Sequence, residues 1–396
     1  MRLISDWNKL YMQDFEDIRP YLDHEVRPIV DSLLQDPEFS AAIARYRYPR
    51  WHALFPALVG KIVQHYLKRE TDHIQNIHDV QIIIEKYLDK LIENTTTSLT
   101  QDGLEKLDPG RPYLFISNHR DITMDPALVN YMLYHHGFST VQIAIGDNLL
   151  KRPFLSDLMR LNKSFLVKRG VQGREKLKAS KQLSAYIQYC IESGENVWIA
   201  QREGRAKNGI DRTESAIIKM LHLAQRAQKN PLNLAQTINH LNIVPVAISY
   251  GLDPCDGYKA EELYAIDTIG KFEKNENSDI QSILAGMIGD KGDIHVAFGE
   301  PLCLENEVTE EEVAALIDTQ VIRNYRLHPS NYFAYISLKP DRAQHYDLQR
   351  IFGLTASELT RQKEAFQSRL SSQPAHLRPY ILAMYANPVI AKNQLN

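Results

Sequence analysis

The chain changes character at the stretch Tyr113-Leu114-Phe115-Ile116-Ser117, a short apolar run that directly follows a turn cluster at residues 108–112. Runs of this length and apolarity between turn residues are typical of a strand buried in a parallel sheet. Helical patterns separate most of the similar runs that follow, and this alternation predicts an α/β fold with a mostly parallel sheet flanked by helices. The five further strand candidates are 141–145, 164–167, 196–200, 243–248 and 294–298.

Segments with helical periodicity and no strand-like runs lie on both sides of this region. We therefore predict an N-terminal helical domain at 1–105, an α/β domain at 106–305 and a C-terminal helical extension at 306–396. In the first of these, Leu54–Leu67 is partly amphipathic, and a helix that faces the core is favoured over a helix that lies on a membrane surface. In the second, Pro245 inside an apolar run predicts an edge strand or a bulge.

The composition is that of an ordinary globular protein, with 44% apolar and 24% charged residues among 396. A net charge of -3 provides no overall basic field, so we expect no nucleic-acid partner. The three cysteines, Cys190, Cys255 and Cys303, are scattered, which fits a reducing compartment. The N-terminus has no signal-peptide pattern and no run is apolar enough to span a membrane, so a cytoplasmic location is expected.

Polar residues follow the first strand directly, as Asn118-His119-Arg120-Asp121, and a second acid, Asp125, comes shortly after. A helical run begins next, and Asp125 suits its N-cap while Pro126 suits its first turn. A carboxylate that fixes the tautomer of an imidazole makes the histidine an effective general base toward a hydroxyl. The alternative for this block is a solvated loop histidine with incidental acids nearby.

Cations follow two other strands at the point where each strand ends. The run 164–167 ends in Lys168-Arg169, and the run 196–200 leads into a loop that carries Arg205 and Lys207 around Gly204. Neighbouring Lys and Arg donors can hold phosphate oxygens, and glycine lets a backbone approach a ligand closely. The alternative for both blocks is a solvated, charged surface.

The order and context of these blocks resemble the glycerolipid acyltransferase superfamily, the PlsC-like enzymes. This superfamily includes lysophosphatidate acyltransferases and soluble plastid-type glycerol-3-phosphate acyltransferases. Its motifs are a histidine and an aspartate separated by four residues, a basic pair, a Gly-Arg element after a strand and a Val-Pro segment. The matching residues, over about 110–303, are Asn118-His119 with Asp125-Pro126, Lys168-Arg169, Glu203-Gly204-Arg205 and Val244-Pro245-Val246.

The resemblance implies an O-acyltransferase of phospholipid biosynthesis in which His119 is the catalytic base and Asp125 orients it. The donor would be acyl-CoA or acyl carrier protein, and the acceptor glycerol 3-phosphate or 1-acylglycerol 3-phosphate. No metal or other cofactor is expected, because the thioester is already activated. The nature of the acceptor suggests peripheral contact with the inner face of the membrane. The implied substrate-binding residues are Arg120, Lys168, Arg169, Glu203, Gly204, Arg205 and Lys207.

The sequence departs from the family pattern at one point, because five residues rather than four separate His119 from Asp125. Either the loop bulges and Asp125 keeps its role, or Asp121 replaces it; the context of Pro126 favours Asp125. A third outcome is a homologue that binds an acylated ligand without turnover. Another lysolipid or an amino-lipid is an alternative acceptor. An α/β hydrolase and a nucleotide-binding enzyme are disfavoured, because the sequence has no Gly-x-Ser-x-Gly elbow and no Gly-rich phosphate loop.

Overall fold

A computed structural model of the chain describes residues 14–150, 152–275 and 278–395. The chain divides into two compact units, Met1–Leu88 with Gln142–Leu183 and Asp89–Val141 with Ser184–Asn396. The division into domains at 1–105, 106–305 and 306–396 stays a prediction. Helices do occupy both ends of the described chain, as the periodicity indicated.

Seven strands lie in the described residues: β1 (Ser98–Asp102), β2 (Leu114–Ser117), β3 (Gln142–Gly146), β4 (Ser164–Val167), β5 (Val197–Ala200), β6 (Ile243–Tyr250) and β7 (Asp293–Phe298). Seventeen α-helices lie there too: α1 (Asp23–Gln35), α2 (Pro37–Arg47), α3 (Pro49–Leu54), α4 (Pro56–Thr71), α5 (Ile77–Thr95), α6 (Met124–His135), α7 (Pro153–Leu161), α8 (Gly173–Glu192), α9 (Ser215–His222), α10 (Leu234–His240), α11 (Asp256–Ile269), α12 (Ser278–Ile288), α13 (Glu310–Asn324), α14 (Pro329–Leu338), α15 (Leu348–Phe352), α16 (Ala356–Ser371) and α17 (Arg378–Leu395).

The second unit contains five strands in the order β1-β7-β6-β2-β5. All neighbouring pairs in this order are parallel except β6–β7, which is antiparallel. In the first unit β3 and β4 pair in parallel. The predicted α/β class with a mostly parallel sheet is therefore confirmed, and all six strands predicted from apolar runs are present.

The strands β2, β5 and β6 place their carboxyl ends at one edge of the sheet, because β2 is parallel to both of its neighbours. Every residue of β2 and β6 is buried, as their apolar sequences require. Backbone bonds continue past the strand ends, from Gln201 N–H to Ser117 O at 2.8 Å and from Asn118 N–H to Val246 O at 3.3 Å. Loops that follow these strands therefore start side by side, which is where ligands bind in open α/β sheets.

Pro245 lies in a central strand, so the prediction of an edge or a bulge is wrong. It pairs in register with Ile116 of β2. Its carbonyl faces the other neighbour and accepts the N–H of Gly299 at 2.8 Å, one residue beyond the end of β7. The N–H that proline lacks would face the same neighbour, so the missing bond falls beyond the last paired residues of β6 and β7, Val246 and Phe298.

The strand β1 was not predicted, because residues up to 105 were interpreted as helical. It is short and polar, its residues alternate between exposed and half-buried, and it lies at the outer edge of the order. Its pairing with β7 begins where Ser98 lies opposite Asp293. A strand of this kind is specified by its partner more than by its own side chains.

In the first unit, α1 contributes Val26, Val30 and Leu33 to a core that α7 completes with Phe154 and Leu161. The helix α4 covers most of the stretch Leu54–Leu67 and turns Val59 and Val63 inward, as the core-facing interpretation requires. Its other side carries exposed apolar residues that the core does not use. Among the described helices, none combines the length and the apolarity that crossing a membrane demands.

In the second unit, the C-terminal helices form a core of their own around Phe333 of α14, Phe366 of α16 and Tyr385 of α17. Gly353, which has a φ of 65°, lies in the loop between α15 and α16. The predicted helical extension at the C-terminus is therefore present as secondary structure.

Candidate active site

The candidate site begins at the carboxyl end of β2, where the side chain of Asn118 fixes the chain to β6. Its Nδ2 donates to Ile248 O at 3.0 Å, and its Oδ1 accepts from Ile248 N–H at 2.8 Å. The Asn118 side chain thus makes the two hydrogen bonds to β6 that a backbone residue would make if β2 continued. The next residue, His119, therefore lies at the edge of the sheet. Only 14% of the His119 side chain is exposed.

His119 is paired with Asp125 rather than with Asp121. Its Nδ1 lies 2.8 Å from Asp125 Oδ2, and the same oxygen accepts the backbone N–H groups of Arg120 at 2.6 Å and Asp121 at 2.9 Å. The other oxygen, Oδ1, accepts the hydroxyl of Tyr250 at 2.7 Å. The Asp125 carboxylate is fully buried and hydrogen-bonded through both oxygens, so it holds the imidazole in one orientation with Nε2 left for chemistry.

The five-residue spacing is absorbed in a turn that Asp121 closes. Its Oδ1 accepts the backbone N–H groups of Thr123 at 2.9 Å and Met124 at 2.8 Å, which begin α6. Asp125 is therefore the second residue of the helix, and the prediction that it is the N-cap is wrong. Burial, and then the nearby Asp125 carboxylate, raise the pKa of Asp121. A glycine of α12, Gly286, makes room for it, since a Cβ there would lie 2.0 Å from Asp121 Oδ2.

A buried lysine, Lys259, is hydrogen-bonded to the backbone of this turn. Lys259 of α11 is 1% exposed, donates to Arg120 O at 2.7 Å and pairs with Asp253. Burial alone would raise the pKa of Asp253, but Lys259 outweighs burial and holds that pKa below its usual range. The pair thus ties the residue after His119 to a helix that is distant in sequence.

Arg120, a predicted substrate contact, is engaged within the fold. Its Nη2 donates to Asp211 Oδ2 at 2.6 Å and to Gly209 O at 3.2 Å, and its guanidinium lies 5.4 Å from the ring centre of Tyr325. Arg120 is also 5% exposed. These contacts make Arg120 a support of the loop after β5, while its Nε is buried without a hydrogen-bond partner among the described residues. A substrate contact of Arg120 stays a prediction.

The loop after β5 is attached directly to His119. The backbone N–H of Ala206 donates to His119 O at 2.8 Å. The preceding residue, Arg205, is 9% exposed and donates from Nη2 to Ser282 Oγ of α12 at 3.2 Å. Its Nη1 is buried without a hydrogen-bond partner among the described residues. A buried guanidinium nitrogen without an acceptor is costly, and a ligand oxygen would supply one.

The other predicted residues of this loop differ in their surroundings. Lys207 Nζ lies 2.5 Å from Glu262 Oε1, so α11 already provides a counter-charge. Glu203 is exposed, and its backbone N–H donates to Glu214 Oε2 at 3.3 Å. Gly204 has a φ of 74°, which favours glycine, and a Cβ there would have no atom within 4 Å. The space beside Gly204 is therefore open.

The basic pair Lys168-Arg169 belongs to the first unit. Lys168 forms an ion pair with Asp17, and the backbone N–H of Arg169 donates to Asp147 Oδ1 at 3.1 Å. A Cβ on Gly146 would lie 2.6 Å from Arg169 Nε, so this glycine provides the space for the guanidinium. Each residue is thus held within its own unit, and a role for the pair beside His119 stays a prediction.

Three residues of the site were not predicted. Tyr250 ends β6, so the rule that active groups follow strands could have identified it. Trp198 was read only as a strand residue, yet its ring meets His119 edge-on with centroids 5.9 Å apart, and its Nε1 donates to Ser117 Oγ at 3.0 Å. Lys259 gave no signal, because it lies on a helix far along the chain.

Comparison with known proteins finds similarity to acyltransferases. Residues 98–249 match the family profile described as Acyltransferase. Glycerol-3-phosphate acyltransferase of Pseudomonas entomophila is 23% identical over 304 residues, which cover 74% of this chain and 34% of that protein. The enzyme of the same name from Shewanella sp. (strain ANA-3) is 25% identical over 236 residues, covering 58% and 27% respectively. The matched part of the chain thus spans about a third of the length of the first relative and about a quarter of the second.

Among solved structures, 1-acyl-sn-glycerophosphate (LPA) acyltransferase, PlsC, of Thermotoga maritima is similar with a TM-score of 0.38 and 13% identity. The match covers 73% of this chain and 95% of that one. The profile match includes β2, β5, the paired His119 and Asp125, and the loop that carries Arg205. This part of the chain is therefore similar to acyltransferases, and the two relatives carry the name glycerol-3-phosphate acyltransferase.

Proposed function

We propose that the chain is an O-acyltransferase that moves a fatty acyl group from acyl-CoA or acyl carrier protein to a hydroxyl of a glycerol-phosphate-type acceptor. Glycerol 3-phosphate or 1-acylglycerol 3-phosphate is the proposed acceptor. The observation that carries the proposal is the hydrogen bond of 2.8 Å from Ala206 N–H to His119 O. It attaches the loop of Arg205 to His119, which supports a site that combines a general base with a buried cation.

In the proposed reaction, Asp125 holds Nδ1 of His119 and leaves Nε2 to remove the proton from the acceptor hydroxyl. The oxygen attacks the thioester carbonyl carbon, and a tetrahedral oxyanion forms. As it collapses, the carbon–sulfur bond breaks and the leaving thiolate takes the proton from Nε2. The thioester is already activated, so this sequence of steps needs no metal.

The proposed acceptor phosphate would meet Arg205, whose Nη1 is without a partner among the described residues. Lys207, Lys168 and Arg169 remain proposed contributors to the same phosphate. Oxyanion donors near the start of α6 are disfavoured, because Ala127 N–H already donates to Thr123 O at 3.2 Å. The open backbone beside Gly204 is the better candidate for this role.

The test is acyl transfer by the wild-type protein and two single variants, with labelled acyl-CoA and acyl carrier protein as donors. His119→Ala should lower kcat at least ~100-fold, the usual contribution of a general base. Arg205→Ala should raise KM for the phosphate-bearing acceptor by roughly 10- to 100-fold, because a hydrogen bond to a charged group is lost. The acceptors are glycerol 3-phosphate, 1-acylglycerol 3-phosphate, other lysolipids and an amino-lipid.

Matched controls are His240→Ala, which removes an exposed histidine beside Glu192, and Arg226→Ala, which removes an exposed arginine beside Glu310. Both should keep wild-type kinetics, and thermal melts should show that all variants fold. Near-normal activity of His119→Ala would refute the general-base assignment. Binding of acyl-CoA with no turnover on any acceptor would favour the non-catalytic alternative that the five-residue spacing first suggested.

A further inference from the structure

A cationic segment stands out in the first unit of a chain whose net charge is -3. Residues 39–69 contain six Lys and Arg residues and no Asp or Glu. All six are exposed; they are Arg45, Arg47, Arg50, Lys61, Lys68 and Arg69. A run of like charges repels itself, so an anionic partner would stabilise it.

The same segment presents large apolar side chains to solvent. Trp51 and Leu54 of α3, Phe55 at the joint, and Leu58 and Ile62 of α4 are each between 53% and 68% exposed. Single exposed apolar residues are ordinary, but five large ones within twelve residues are not. We refer to these five side chains and the six cations of the same segment as the docking face.

Core packing does not explain the docking face, because α4 meets its own unit through other residues. Val59 and Val63 point inward and pack with Ala44 of α2. Leu58 and Ile62 lie four residues apart, so they share one side of the helix, about 100° around the axis from Val59 and Val63. Phe55 caps both α3 and α4, and its backbone O accepts Val59 N–H at 3.0 Å, so the two helices follow one another directly.

We propose that the docking face binds the surface of a bilayer that contains anionic lipids. Helices that lie in such an interface carry Trp, Phe and Leu on one side and Lys or Arg beside them, which is the composition found here. The apolar side chains would enter the boundary between headgroups and acyl chains, and the cations would meet lipid phosphates. The proposal rests on exposure and charge alone and does not depend on acyl transfer.

The test is co-sedimentation of the full chain with vesicles of phosphatidylcholine and of an equal mixture of phosphatidylcholine and phosphatidylglycerol. The wild type should partition at least ~10-fold more strongly to the mixed vesicles, and added salt should weaken this binding. Leu58→Glu with Ile62→Glu should lower partitioning by ~100-fold, since each apolar side chain contributes roughly tenfold. Arg50→Gln with Lys61→Gln should reduce the preference for the mixed vesicles.

The matched control is Leu316→Glu with Ile351→Glu, which changes two exposed apolar residues of α13 and α15, 42% and 47% exposed. It should stay within ~2-fold of the wild type. Thermal melts should show that all three double variants fold. The proposal is overturned if Leu58→Glu with Ile62→Glu binds mixed vesicles like the wild type, if the control loses as much, or if the wild type does not distinguish the two vesicles.

A second copy of the chain is the rival occupant of this face. If analytical ultracentrifugation showed a dimer that Leu58→Glu with Ile62→Glu dissociates while vesicle binding is unchanged, the face would be a self-association surface. The His119→Ala protein should bind vesicles like the wild type. A failure of acyl transfer would therefore leave this result untouched, and the two proposals can fail separately.

Discussion

Tyr250 is expected to matter for the rate although it need not touch a substrate. Its hydroxyl is the one donor to Asp125 Oδ1 among the described residues, at 2.7 Å, and both groups are buried. Burial, followed by the Asp125 and Asp121 carboxylates, raises the pKa of Tyr250 well above its usual value, so the hydroxyl keeps its proton and remains a donor. Tyr250→Phe removes that donor and leaves the ring in place.

The size of the effect follows from the bonds that remain. A hydrogen bond from a neutral donor to a buried carboxylate contributes about 1.5–3 kcal/mol, and the three donors to Oδ2 stay. Tyr250→Phe should therefore lower the melting temperature by roughly 5 °C. It should lower kcat by ~10-fold, because a carboxylate freed at one oxygen orients His119 less well, and 1.4 kcal/mol corresponds to tenfold. KM for both substrates should stay near the wild-type value.

The assay is steady-state acyl transfer beside thermal melts, with Tyr113→Phe as the control. Tyr113 is equally buried, and its hydroxyl accepts Asp108 N–H at 3.0 Å at the other end of β2. A double-mutant cycle with Asp125→Asn completes the test. If Tyr250 acts through Asp125, the double variant should lose less activation free energy than the sum of the two single variants. Additive losses, or a fall in kcat no larger than that of Tyr113→Phe, would refute the positioning role.

Two further predictions concern stability. Gly286→Ala would place a Cβ 2.0 Å from Asp121 Oδ2, so it should lower the free energy of unfolding by about 1–3 kcal/mol and remove much of the activity. The control Gly60→Ala, whose Cβ would have no atom within 4 Å, should be neutral or slightly stabilising. Equal melting temperatures for the two variants would contradict this prediction. Burial lowers the pKa of His328 from 6.5 to about 4. As the pH falls from 6.5 to 4, the imidazole is therefore protonated in the unfolded chain but not in the folded one, and the free energy of unfolding decreases. This loss is about 3 kcal/mol, and denaturant titrations should show a smaller acid loss for His328→Gln; an unchanged loss would count against the explanation.

Most of the strands could be predicted from the sequence, because apolar runs in a doubly covered sheet are buried whatever their neighbours are. The residues Tyr113-Leu114-Phe115-Ile116 needed no partner to be identified as a strand. The strand β1 could not be identified in the same way, since its residues Ser98 to Asp102 alternate between exposed and half-buried at an edge. The prediction for Pro245 failed for a related reason. The hydrogen bonding that a proline disturbs depends on where the neighbouring strand β7 ends, and this is visible only in the tertiary structure.

The candidate site likewise has a part that could be predicted from the sequence and a part that could not. The polar residues that follow β2 and β5 are visible in the sequence, and a shared edge could be expected for them because parallel strands end on the same side of a sheet. Folding was needed to show that Asp125 rather than Asp121 holds His119, that Asp211 engages Arg120, and that Arg205 has a buried nitrogen without a partner among the described residues. Spacing along the chain sets what a turn can reach, but which carboxylate meets which cation depends on side chains that folding brings from far along the chain.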